Sequence, residues 1–96
     1  MSHTEMLKIL RAFKKNFAEQ YGIISLGLFG SAARDESGAE SDVDIVIKLQ
    51  KQDLFNMIGI KQDLEEILGT NVDVISYREK MNDFLKNRID KEAIYV

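Results

Sequence analysis

Leu26 to Ile47 reads LGLFGSAARDESGAESDVDIVI, and this stretch decides the fold. A short apolar run ends in Gly30-Ser31. Ten residues later come Asp42 and Asp44, separated by Val43 and leading into a second apolar run. The small residues deliver a backbone turn, and the two carboxylates stand at the start of a strand. Strand residues i and i+2 point to one face, so Asp42 and Asp44 are expected side by side with α-carbons about 6.5 Å apart. Two acids that close repel each other unless a cation lies between them. Such hard oxygen ligands suit Mg²⁺, which takes one or two carboxylates and leaves room for substrate phosphates.

The Gly30-Ser31 end supplies the complement. With Ser31 capping a short helix that begins SAAR, backbone N–H groups point outward into an anion site. Arg34, one turn on, adds a fixed positive charge. Its bland alternative is a surface ion pair with Asp35 or Glu36, of little energy. A phosphate cradle beside a two-carboxylate metal site is the minimum equipment for phosphoryl or nucleotidyl transfer.

Working outward, residues Thr4 to Gln20 read as an amphipathic helix. Met6, Ile9, Leu10, Phe13 and Phe17 form its apolar stripe, Lys8, Arg11, Lys14 and Lys15 its basic face, and Gly22 its stop. Ile23 to Phe29 alternates as a first strand, DESGAES (Asp35 to Ser41) is a polar loop, and Asp42 to Leu49 is a second strand. Asp53 caps a helix to Leu68, with Leu54, Met57, Ile60, Leu64, Ile67 and Leu68 inward and Gly69 as the stop. Asn71 to Ser76 is a third strand. Tyr77 to Lys91 reads as a last helix, with Met81, Phe84, Leu85 and Ile89 inward, and Ala93 to Val96 as a short closing strand.

The fold class is therefore α/β, a small mixed sheet of order 1-2-3 flanked by helices. The second strand, its helix and the third strand form a βαβ unit, which is right-handed with parallel strands. The starts of those two strands then share one sheet edge, bringing Asp73 to Asp42 and Asp44. An antiparallel first strand ends at that edge with Gly30-Ser31. Ligand binding there departs from the usual preference for the carboxyl ends of strands.

Composition sets the outer limits. The 96 residues are expected to form a single domain, 1–96, with 45% hydrophobic and 30% charged residues. No apolar run approaches a membrane span, and MSHTEMLKIL lacks the basic start and apolar core of a signal peptide. Cysteine is absent, which excludes disulfides and thiolate metal sites. A cytoplasmic address is the expectation, with no membrane partner. A net charge of −3 and a pI near 5.1 argue against gripping nucleic acid by bulk charge.

These residues resemble the nucleotidyltransferase superfamily, whose signature is Gly-Ser, ten residues, then Asp-x-Asp. Gly30-Ser31 and Asp42-Val43-Asp44 match it without a gap, and Gly30 to Arg34 matches the extended form Gly-Ser-x-Ala-Arg. The preceding helix and the Val72-Asp73-Val74 strand extend the likeness over essentially the whole chain. Its length is similar to that of the minimal nucleotidyltransferases, or MNT proteins, commonly encoded beside a HEPN-domain protein.

The resemblance implies that Asp42 and Asp44 hold two Mg²⁺ ions on a nucleotide triphosphate. It implies that Gly30, Ser31 and Arg34 contact its phosphates. Asp73 would be a third metal ligand that helps deprotonate the acceptor. ATP would be the substrate, and the acceptor a tyrosine of a HEPN ribonuclease toxin, which the transferred AMP silences. With no second domain to bind a drug or primer, the acceptor is expected on another chain. Two other readings stand beside this one. One is a binding module that inhibits the HEPN partner by occlusion; the other is a subunit of a small-molecule nucleotidyltransferase.

Overall fold

The computed structural model describes residues 2–30 and 42–96. Over these the order is α1 (His3–Tyr21), β1 (Ile23–Phe29), β2 (Val43–Leu49), α2 (Leu54–Leu68), β3 (Val72–Ser76), α3 (Asp83–Glu92) and β4 (Ile94–Tyr95). The helix ends follow the local chemistry. Ser2 accepts a hydrogen bond from the Glu5 N–H at the start of α1, and Asp53 accepts from the Phe55 and Asn56 N–H groups at the start of α2. Gly22 and Gly69 close these two helices in the left-handed conformation.

The sheet order is β3-β2-β1-β4. The expected 1-2-3 order is present, with β4 added along the outer side of β1. β1 runs antiparallel to both β2 and β4, and β2 runs parallel to β3. One face, carrying Leu26, Leu28, Val43, Ile45, Ile47 and Val72, packs on Leu10 and Phe13 of α1 and on Ile60, Leu64 and Leu68 of α2. Each such side chain is worth roughly 1.5–3 kcal/mol when fully buried, so this face holds most of the stabilising apolar area. The opposite face carries Phe29 and Val46, packed with Ile89 of α3 and bordered by Ile75, Tyr77, Met81 and Leu85. No helix among the described residues is long and apolar enough to cross a membrane.

Several expectations shift. The last helix begins at Asp83 and not at Tyr77, because Asn82 accepts a hydrogen bond from the Leu85 N–H at 3.0 Å and so caps the helix there. Leu54, Ile67 and Phe84, expected inward, are exposed. Only the i, i+4 stripe of α2 (Ile60, Leu64, Leu68) is fully covered, and residues rotated off it face outward. Phe84 is rotated about 100° from Leu85 on the first turn of α3, which takes it off the sheet. In β1 a register irregularity between Ile23 and Ser25 turns Ile24 outward, although simple alternation would align it with Leu26 and Leu28. Asp42 stands just ahead of β2 and not within it.

Candidate functional site

The site forms where β1 ends and where β2 and β3 begin. The Val43 N–H donates to the Asn71 carbonyl at 3.0 Å, which ties the starts of the two parallel strands together. In the ladder Asp44 is the partner of Asp73 on one side and of Phe29 on the other. Strand neighbours lie about 4.8 Å apart, so Asp44 and Asp73 stand on adjacent strands at the same level of one sheet face. Asp73 is exposed on edge strand β3, Asp42 is exposed, and Asp44 is half-buried between them and β1. The convergence of the three acids thus follows from the parallel βαβ register.

Asp44 is the strained member electrostatically. Burial pushes its carboxyl above the usual carboxylate range, and charge repulsion from Asp73 and then Asp42 pushes in the same direction. A cation beside Asp44 would relieve both effects. This donor set therefore fits a hard divalent ion that draws one or two ligands from protein carboxylates and the rest from phosphate and water. Among the described residues, no group of three or more histidine, cysteine, aspartate or glutamate side chains is arranged to hold a metal ion, so Asp42, Asp44 and Asp73 do not make a ready three-ligand site as they stand.

Gly30 is required here for two separate reasons. Its φ is +70°, and a β-carbon on it would stand 2.5 Å from Oδ2 of Asp44. Any other residue would be strained in backbone and would collide with the carboxylate. The motif's glycine and its second aspartate are therefore in direct apposition, although fourteen positions separate them in the chain. Ser31 and Arg34, the other residues expected at the phosphate turn, lie outside the described residues.

Arg88 was not part of any motif, yet it stands at this end of the sheet. Its guanidinium lies 5.5 Å from the centre of the Phe29 ring, and its Nε donates to Oε2 of Glu92 at 3.1 Å. The sequence signal was no more than a basic residue beside the buried Ile89 on a helix. Of the tyrosines, Tyr21 donates to Asp63 and Tyr77 to Asp90, at 2.7 and 3.0 Å. Tyr21 precedes β1 and Tyr77 follows β3, so both lie at the end of the sheet away from the carboxylates.

Residues 9–96 match the family described as polymerase beta, nucleotidyltransferase. The chain is 35% identical over 96 residues to a Methanocaldococcus jannaschii protein provisionally named a protein adenylyltransferase, covering 97% of this chain and 96% of that one. It is similar to a solved structure described provisionally as a minimal nucleotidyltransferase, with 29% identity, a TM-score of 0.74, and 92% and 93% of the two chains covered. The same fold occurs in a solved complex of a tri-AMPylated Shewanella oneidensis HEPN toxin with an MNT antitoxin. There the identity is 16%, the TM-score 0.65, and the coverage 93% of this chain and 70% of that one.

Proposed function

This chain belongs to the polymerase beta-type nucleotidyltransferase family, in its minimal MNT branch, and from that premise we propose that it is a Mg²⁺-dependent protein adenylyltransferase. It moves AMP from ATP to a tyrosine hydroxyl of a HEPN-domain toxin and so acts as that toxin's antitoxin, in the cytoplasm and as a single domain. The observation that carries the reading is the placement of Asp44. Its carboxylate lies against the α-carbon of Gly30 and beside Asp73, with Asp42 close enough to perturb it. Support for the acceptor class comes from the name of the Methanocaldococcus relative and from the AMPylated toxin in the Shewanella complex.

In this reading Asp42 and Asp44 would hold the metal ions, and Asp73 would hold one of them and take the acceptor's proton. Bound metal supplies charge neutralisation at the entering and leaving oxygens of an in-line displacement. The tyrosine oxygen forms a bond to the α-phosphorus, the bond from that phosphorus to the α,β-bridging oxygen breaks, and pyrophosphate leaves. Gly30 and Ser31 receive the phosphates through backbone N–H groups, and Arg34 adds charge. AMP placed near the toxin's active site introduces bulk and negative charge where RNA phosphates would bind, which accounts for silencing.

The test is an intact-mass measurement of both proteins after incubating the chain with ATP, Mg²⁺ and the product of the neighbouring gene, which the reading takes to be the HEPN-domain partner. The reading requires an AMP-sized gain on the partner that is absent with Asp42→Ala/Asp44→Ala. Silencing by that double variant, with no mass gain on either protein, would replace transfer by occlusion.

A further inference from the structure

The orientation of α3 places Arg88 at the carboxylate end of the sheet. Two edges of this helix can be located independently. Asp90 accepts the Tyr77 hydroxyl, and the Lys86 ammonium stands 6.0 Å from the Tyr77 ring centre. Lys86 and Asp90 therefore mark the edge that faces the far end of β3. Arg88 and Glu92 lie about 180° around the helix from that edge. Arg88 meets Phe29, which immediately precedes Gly30 and is the cross-strand partner of Asp44. Ile89 between the two edges is fully buried and anchors the helix against Phe29 and Val46.

The guanidinium is also held in a way that suits ligand binding. The Phe29 ring supports one face of it, and Nε is bonded to Glu92, which leaves the two Nη groups as the donors for a ligand. The side chain is 43% exposed, so a ligand above the sheet can reach it. Planar, doubly donating groups of this kind recognise phosphate through paired hydrogen bonds. Through Phe29, the cross-strand partner of Asp44, this positive group stands at the same end of the sheet as the carboxylates, so a metal–polyphosphate ligand held there would meet charges of both signs.

We propose that Arg88 is a substrate-binding residue that clamps the polyphosphate of the nucleotide, with Phe29 and Glu92 holding the guanidinium in position. The proposal rests on the nucleotidyltransferase reading of the Asp42, Asp44 and Asp73 site.

The test is calorimetric titration of the full chain with Mg²⁺ and α,β-methylene ATP, which cannot release AMP, and in parallel with adenosine. Arg88→Ala should weaken the triphosphate analogue by roughly 10- to 100-fold, the range of a lost charge-assisted hydrogen bond. Arg88→Lys should recover part of the loss, because it restores charge but not the fork. Adenosine affinity should be the same in all three proteins. Arg88→Gln, with thermal denaturation of each variant, covers the case in which alanine impairs folding. Equal triphosphate affinity in wild type and a folded Arg88 variant, with binding abolished by Asp44→Asn, overturns the role of Arg88 alone. Absence of Mg²⁺-dependent binding in the wild type, or binding and transfer unaffected by Asp44→Asn, overturns the site reading and the clamp with it.

Discussion

Replacing Gly30 with alanine should separate backbone strain from damage to the site. Two terms act at this position. A left-handed conformation costs a non-glycine residue roughly 1–2 kcal/mol. The new β-carbon would also stand 2.5 Å from Oδ2 of Asp44, where about 3.4 Å is ordinary contact, so the carboxylate must retreat by roughly 0.9 Å. Moving it off its rotamer costs roughly 0.5–1.5 kcal/mol more. The total, about 1.5–3.5 kcal/mol, is less than the usual stability of a domain, so the variant should fold. Gly69→Ala supplies the control: its φ is +69°, and a β-carbon there meets nothing within 4 Å. It should carry the conformational term alone. Urea denaturation of both variants therefore reads the collision as a difference of about 0.5–1.5 kcal/mol. Transfer to the partner should be normal in Gly69→Ala and fall about a hundredfold in Gly30→Ala, because a shift near 1 Å in a catalytic group has effects of that size. Equal destabilisation of the two variants, with transfer retained in Gly30→Ala, would refute the apposition of Gly30 and Asp44.

Three further outcomes follow from the same geometry. Asp44→Asn should abolish transfer yet raise the melting temperature of the metal-free protein at neutral pH, since the native fold disfavours the charged carboxyl through burial, Asp73 and Asp42. A raised carboxyl contributes stability below the unfolded pKa that is lost as pH climbs through the folded value, so the advantage of Asn should vanish near pH 3; differential scanning fluorimetry across pH reads this. Added Mg²⁺ should raise the melting temperature of the wild type and leave Asp44→Asn unmoved, and EDTA should reverse the gain. At the other end of the sheet, the hydrogen bond from Tyr21 to Asp63 is the first cause, ahead of burial and the Asp63 charge, pushing the phenol from 10.0 up to about 12. The stability this bond provides is complete below pH 10 and lost between pH 10 and 12, so wild type and Tyr21→Phe should converge there in urea denaturation. Discounted for solvent screening of this half-buried phenol, the neutral-pH difference is about 1 kcal/mol.

The elements were legible because their signals are local. Apolar residues at helical spacing, Asp53 before a helix, and Gly22 and Gly69 after one act on neighbours a few residues away. The start of α3 was misplaced because the Asn82 side chain outcompeted a continuous-looking pattern from Tyr77 onward. The exposure of Leu54, Ile67 and Phe84 was not legible, since apolar character does not say how wide a face the sheet can cover.

The chain order determined that Asp42, Asp44 and Asp73 would share one end of the sheet, and that Gly30 would join them if the first strand paired antiparallel with the second, as it does. A right-handed βαβ crossover leaves parallel strand starts together, and an antiparallel neighbour preceding them ends beside them. Only the tertiary structure decided how those residues meet. The cross-strand register sets Asp44 against Asp73 and Phe29, and the backbone at Gly30 admits the Asp44 carboxylate because no β-carbon stands in its way. Packing of Ile89 onto Phe29 and Val46 then turns Arg88 toward that end. Register and helix rotation are set by which side chains interlock across elements distant in sequence, and no local spacing encodes them.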